Sequence, residues 1–238
     1  MELLEWAKKN NSELRSKEKL VTILGLPFFP KQSFSYRPFS SDPLVVRQHF
    51  FFQELRPVVE YFQKRNRELS LMIDAGGNIG AAACFMHWNF PAMKSLVIEP
   101  SSANVDVANI NLNNCQSEVW EKAIWWRSEL LSFDENRTAW AMQVSQRTIR
   151  RGKMVEGIAL SSILSKPEYT NADYIKIDIE GAEEQVFEKD YGLNSLVRSV
   201  SCISVEPHSE RGRELIKHRL KSWGFRVEYS GELIIGFR

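Results

Sequence analysis

The sequence predicts an α/β protein: a doubly wound, mostly parallel sheet with a C-terminal antiparallel hairpin and an N-terminal helical cap. Three observations carry this reading. From Leu71 onward, short apolar runs of strand length alternate with helical stretches, the pattern of a parallel sheet covered on both faces. The last residues, "FRVEYSGELIIGFR", read as two strands joined at Ser230-Gly231, a hairpin signal. Between Leu71 and Ala82, "LMIDAGGNIGAA" drives an apolar strand into an acid, two glycines, an asparagine and a third glycine. In open α/β sheets that strand-to-helix turn borders the ligand crevice.

The elements follow in order. Residues 1–67 read as a helical cap, not an independent domain, with the loop "LPFFPKQSFSYRPFSSDP" between its helices. Phe50, Phe51, Leu55, Val58, Val59 and Phe62 recur at helical spacing, and Pro57 should kink or restart that helix. Residues 68–238 form the main domain. Its strands are "LMIDAG", "SLVIEP", "VWEKAIWW", "YIKIDIEGAE" and "VSCISVEPH", separated by helices from about Asn78, through "SSANVDVANINLNN", and from near Gly181. A further helix through "GRELIKHRLKSWG" precedes the hairpin. Residues 125–164 exceed an ordinary connection, and "TAWAMQVSQ" and "MVEGIAL" each have the makings of an extra strand.

Composition bounds the function. The 238 residues are 43% hydrophobic and 26% charged, ordinary for a globular chain. A formal net charge of +1, from 31 basic and 30 acidic side chains, supplies no field for nucleic acid or an anionic membrane. No apolar run approaches the roughly 20 residues of a membrane span. The first 20 residues carry charge throughout, unlike a signal or transit peptide. Cys84, Cys115 and Cys202 stand apart without metal or redox spacing, which fits a reducing cytoplasm.

The glycine turn specifies a ligand. Gly76 lets a ligand lie against the main chain, Asn78 can cap the next helix, and Gly80 allows that helix to pack closely. A valine at Gly76 is expected to exclude the ligand and keep the fold. Glu99 ends the next strand, where a carboxylate can accept both hydroxyls of a ribose. A dinucleotide would want G-x-G-x-x-G, which neither glycine register satisfies. Asp74 also suits a cation better than a diphosphate. S-adenosylmethionine, with its sulfonium and ammonium, meets both conditions. The expected cofactor contacts are Asp74, Gly76, Asn78 and Gly80, with Glu99, Ala123 and Asp178.

Several stretches together resemble the FkbM family of methyltransferases: "IDAGGNIG", "VIEPSSANVDVANINLNN", "DYIKIDIEGAEEQVF" and "ISVEPH", in that order. "YRPFSSDPLVVRQHF" is similar to the family's Arg…Ser-Asp segment upstream of the fold. The resemblance runs from about Tyr36 to the end. It implies a class I, Rossmann-like methyltransferase domain and methylation of an oxygen, often on a sugar or natural product. Two departures stand out: Gly77 replaces the family's usual Ala, and Leu160-Ser161-Ser162 replaces Leu-Asp-Asp.

Methyl transfer is an in-line displacement at a sulfonium carbon, so the enzyme must position the nucleophile and remove its proton. Asp178 ends the fourth strand and Glu206-Pro207-His208 the fifth, on strands about 4.8 Å apart. Asp178, Glu180, Glu206 and His208 can therefore converge. His208 is the candidate general base, with an ordinary pKa near 6.5. Asp178 and Glu206 orient it or the acceptor. The same oxygens would suit a divalent metal, the lesser alternative, and no residue is assigned to one. Lys176, Asp178 and Glu183 have a competing reading as an ion network that fixes the turn. His49 has a place near the cofactor, whereas His87 and His218 read as surface residues. Trp120, Trp125, Trp126 and Trp140 read as core, although Trp125 and Trp126 are placed where a base or sugar face would stack. The reading is an O-methyltransferase acting on a small-molecule or saccharide acceptor, with no nucleic-acid partner. An N-methyltransferase or a non-catalytic cofactor-binding scaffold are the alternatives.

Overall fold

The computed structural model describes residues 13–17, 20–133, 144–145 and 153–238. Its N-terminal part departs from the helical reading. Strands β1 (Glu13–Lys17), β2 (Leu20–Leu26) and β3 (Phe29–Tyr36) form an antiparallel sheet in that order. The departure comes from strand pairing, β2 with β1 on one side and with β3 on the other. Pro30 lies on the edge strand β3, where a missing N–H is tolerated. Among the described residues the first helix is α1 (Asp42–Val46), which runs into a π-helical turn over Arg47–Phe51. The chain then restarts as α2 (Arg56–Lys64), with Pro57 in its first turn as the sequence implied. Ile23, Phe34, Phe50, Leu55 and Phe62 share one core with Met72, Ile79 and Phe85. Phe50 stacks on Trp88 with centroids 4.8 Å apart.

The main domain follows the expected alternation. Its elements are β4 (Leu71–Ala75), α3 (Ala81–Asn89), β5 (Lys94–Glu99), α4 (Ser102–Asn111) and β6 (Gln116–Glu121). Next come β7 (Ala123–Trp125), β8 (Glu129–Phe133), β9 (Val144–Ser145), β10 (Lys153–Ala159) and α5 (Leu160–Leu164). Then follow β11 (Tyr174–Ile177), α6 (Glu183–Lys189), α7 (Leu193–Leu196), β12 (Cys202–Val205) and α8 (Glu210–Ser222). The hairpin β13 (Arg226–Ser230) and β14 (Leu233–Phe237) closes the chain. The seven-stranded sheet has the order β13-β14-β12-β11-β4-β5-β6. All pairs from β12 to β6 are parallel, and β14 runs antiparallel to β12. Strand order reverses between β4 and β11, which places the switch point at the glycine turn.

"VWEKAIWW" is two strands rather than one. β6 pairs with β5, whereas β7 leaves for a separate sheet of order β7-β10-β8-β9. "MVEGIAL" contributes to β10. "TAWAMQVSQ", with Trp140, lies outside the described residues except for Val144–Ser145. His218 is exposed as expected. His87 is not: it is buried, its Nε2 lies 3.0 Å from Ser95 Oγ, and burial lowers its pKa to about 4. Among the described residues no helix is long and apolar enough to cross a membrane.

The glycine turn is also a structural joint. Gly76 has φ +79°, and a Cβ there would lie 1.6 Å from the Asp178 carbonyl oxygen. The backbones of two strand ends touch at this point, so a valine cannot leave the fold intact, contrary to the sequence reading. Gly76→Ala should therefore cost well beyond the ~1–2 kcal/mol of a left-handed backbone alone. Gly224→Ala is the control, since Gly224 has φ +87° but nothing within 4 Å of its added Cβ. Urea titration should show Gly76→Ala much the more destabilising, and equal losses would refute the close approach.

Candidate active site

The turn after β4 is pinned to the end of β5. The amides of Gly76 and Gly77 both donate to the Ile98 carbonyl, at 2.8 and 3.1 Å. Asn78 takes a left-handed φ of 48° and its N–H donates to Glu99 Oε2 at 3.0 Å. It does not cap α3, whose N-cap is Gly80. Its side-chain oxygen is buried without a hydrogen-bond partner. The other Glu99 oxygen accepts from the Ser101 amide at 2.9 Å and from Asn104 Nδ2 at 3.1 Å. Burial outweighs these three donors and pushes the Glu99 carboxyl up to about 7.

Beside this turn opens a narrow cleft. Gly76, Asn78, Glu99, Ala123 and Asp178 line it, as the sequence expected. Asp74 and Gly80 do not. The Asp74 side chain is fully buried, and its nearest cation is Lys176 Nζ, 3.8 Å away. Burial raises its pKa. Gly80 serves packing of α3 on α4, because a Cβ there would meet Leu112 Cδ1 at 3.1 Å. Sequence reasoning missed Asn104 and the apolar walls Ile98, Ile124 and Ile179. Asn104 lay inside the quoted family-like stretch, but nothing in its spacing distinguished it. It joins the cleft to the N-terminal segment: Arg37 Nη2 donates to Asn104 Oδ1 at 2.6 Å, and the same guanidinium grips Asp42 at 2.8 and 2.9 Å. The donor set fits a nucleoside cofactor, with a carboxylate for the diol, aliphatic walls for the base and an unpartnered amide oxygen.

A second, larger cavity of about 690 Å³ adjoins the first and shares Asn78, Asp178 and Glu180 with it. The ends of β11 and β12 form its floor. Lys176 is 3% exposed, with Nζ 3.2 Å from Asp178 Oδ2. Burial disfavours its charge, but Asp178 and Asp74 outweigh burial and hold its pKa above the ordinary value. Glu183 accepts from the amides of Ile179 and Gly181 at 2.9 and 3.0 Å, which fixes the turn. The ion-network reading of Lys176, Asp178 and Glu183 thus has its geometry, alongside the convergence of Asp178, Glu180, Glu206 and His208.

His208 is held by acids. Its Nδ1 lies 3.1 Å from Glu183, and its Nε2 lies 3.3 Å from Glu180 and 3.8 Å from Asp178. Burial works against its charge, yet hydrogen bonds to Glu180 and Glu183 and the surrounding charges push the pKa up to about 11. It therefore does not titrate near neutrality, as a base of ordinary pKa would. Glu206 behaves differently: burial and then the Asp178 charge raise its carboxyl to about 8. Asp178, Glu180 and His208 offer atoms within 4.8 Å of one another, a set a divalent ion could use once His208 lost its proton. His49 is buried, its Nδ1 unpartnered and its pKa lowered by burial to about 3, and it lines neither cavity. Trp125 and Trp126 also stay out of both linings, and Trp125 Nε1 donates to Glu129 at 2.7 Å. At the departure from Leu-Asp-Asp, Asp190 accepts from the Ser161 amide at 2.9 Å, and neither Ser161 nor Ser162 faces a cavity.

A switch-point glycine turn and an acid at the end of the next strand, in this strand order, define a class I methyltransferase fold. The family model for the FkbM methyltransferase domain matches residues 74–227, and the chain belongs to that family. It is an S-adenosylmethionine-dependent methyltransferase. No curated protein matches the chain. Among solved structures it is similar to precorrin-6y C5,15-methyltransferase from Geobacter metallireducens GS-15, at 12% identity and a TM-score of 0.46. That match covers 78% of this chain and 89% of the other. It is also similar to magnesium protoporphyrin IX methyltransferase from Synechocystis PCC 6803 with bound SAM, at 14% identity, TM-score 0.45 and 78% coverage of each chain.

Glu99→Ala should weaken S-adenosylmethionine by about 1.5–3 kcal/mol, the range for a hydrogen bond to a charged group. Because the ionised carboxylate accepts both hydroxyls, affinity should climb as pH rises through about 7. Glu99→Gln should flatten that climb. Calorimetry across pH 6–8.5 tests both, and unchanged affinity in Glu99→Ala would displace the cofactor site.

Proposed function

We propose that this methyltransferase acts on a hydroxyl of a small-molecule or saccharide acceptor bound in the larger cavity. The observation that carries this reading is the meeting of two cavities at Asn78, Asp178 and Glu180, with Glu206 beyond the junction on the acceptor side. Gly76, Asn78, Glu99, Asn104, Ala123 and Asp178 hold the cofactor, whose sulfonium supplies an electrophilic methyl group. The chain's own residues then have two tasks, to align the hydroxyl and to accept its proton.

Glu206 is the proton acceptor in this reading. A carboxyl pushed up to about 8 is far more basic than an ordinary one and matches the operating pH. His208, with its pKa pushed up to about 11, keeps its proton and positions Asp178, Glu180 and Glu183. The near-neutral overall charge and the acidic cavity support a small acceptor over nucleic acid. Three free cysteines suit a reducing, cytoplasmic setting. A second reading, methylation of an amine nitrogen, draws on the carboxylates of that cavity.

Incubation with labelled cofactor and extracts of sugars, glycolipids and secondary metabolites, followed by NMR of the product, distinguishes oxygen from nitrogen. With a hydroxyl acceptor, kcat/KM should rise with pH through about 8. Glu206→Gln should lose that limb and roughly 10²–10⁴ in turnover. His208→Asn should keep the limb, and loss of it there instead would restore His208 as the base. Activity should survive EDTA; silencing by the chelator would make Asp178, Glu180 and His208 metal ligands.

A further inference from the structure

The acceptor cavity holds more negative charge than the cofactor can answer. Asp178 and Glu180 line both cavities, within reach of a bound cofactor. Glu54, Glu206 and Glu232 line the larger cavity alone. Among the described residues none of these three forms an ion pair. The cations nearest the floor are already engaged, Lys176 by Asp74 and Asp178, and His208 by Asp178, Glu180 and Glu183.

What stands between Glu54 and Glu206 is a neutral amide. Gln48 Nε2 donates to Glu54 Oε2 at 2.6 Å and reaches Glu206 Oε2 at 3.4 Å. Glu54 is 8% exposed, and its other oxygen accepts from the Glu232 amide at 3.1 Å. Burial raises the pKa of both carboxyls, and the Glu54 charge adds to the rise at Glu206. Lys176 offsets part of this at both acids and His208 part of it at Glu206, but burial prevails, and such acids are relieved further by a cation. The excess is local, since the whole chain balances 31 basic against 30 acidic side chains. Elsewhere the same cavity is apolar, with Leu44, Val45 and Phe52 in its lining. The Phe52 ring is 70% exposed, with the Arg47 guanidinium 5.3 Å from its centroid.

We propose that the acceptor is an amphipathic cation, a hydroxylated amine such as an amino sugar joined to an apolar group. Its ammonium pairs with Glu54 beside Gln48, its hydroxyl faces Glu206, which is left to take the proton, and its apolar part lies against Leu44, Val45 and Phe52. An ammonium brings three donors to a place where Gln48 supplies one amide. A neutral saccharide forgoes the charge pairing, and an anionic one is repelled. The inference rests on reading this cavity as the acceptor site of a methyltransferase.

The test uses the full chain saturated with S-adenosylhomocysteine, so that the cofactor cleft is filled. Three probes, hexyl 2-amino-2-deoxyglucoside, its N-acetyl derivative and hexyl glucoside, are titrated by calorimetry at low salt, below micelle-forming concentrations. The amine should bind at least about tenfold tighter than either neutral probe, equivalent to about 1.4 kcal/mol. Glu54→Gln should remove most of that preference, and Glu54→Asp, which draws the carboxylate back by one methylene, should reduce it if Glu54→Gln fails to fold. Equal affinities in the wild type, no binding of the amine, or a preference that survives both substitutions would overturn the proposal. Failure of S-adenosylhomocysteine itself to bind would instead count against the methyltransferase reading.

Discussion

One buried ammonium holds the centre of this protein together. Lys176 lies in register opposite Asp74 across the β4–β11 pair, and its Nζ lies between Asp74 and Asp178. Burying Lys176 and Asp74 carries a large desolvation cost, which the attraction among the three groups must offset. Losing the lysine would leave the buried Asp74 uncompensated and Asp178 with His208 alone. With it in place, β4 and β11 end together, and the Gly76 backbone can touch the Asp178 carbonyl. Both cavities are measured from that contact.

A second set of bonds carries the cofactor wall. Asp42 holds Arg37, Arg37 holds Asn104, and Asn104 donates to Glu99. The N-terminal segment is therefore part of the site and not merely a cover over it. Its residues Leu44, Val45, Gln48, Phe52 and Glu54 line the acceptor cavity, where the hairpin tip at Ser230, Gly231 and Glu232 faces them. On the proposed reading, acceptor choice is built largely outside the central strands, whereas cofactor binding is built at their ends. Cofactor and acceptor chemistry can vary separately on such a plan.

The histidine shows how environment assigns a role. An imidazole of ordinary pKa suits a base at neutral pH, but three carboxylates around His208 stabilise its charged form. Glu206 has no such partner. Burial and the neighbouring Asp178 disfavour its charge and make it the more basic carboxyl. In the proposed reaction the two groups exchange the roles their side-chain types suggest.

The sequence by itself determined the alternating elements of the main sheet, the hairpin, the glycine turn and Glu99. These depend on local periodicity and on acids that end strands, which a linear reading captures. It also placed Asp178, Glu180, Glu206 and His208 together, because parallel neighbours align their carboxyl ends. Residues 13–36 escaped it: strand and helix compete closely there, and the pairing of β2 with β3 settles the matter. The inward turn of Asp74, the neutral burial of His49 and His87, and the arrival of Gln48 and Glu54 beside Glu206 were decided only by the tertiary structure. Each depends on which groups, distant in the chain, surround a side chain and how far they exclude water. That sets the cost of its charge.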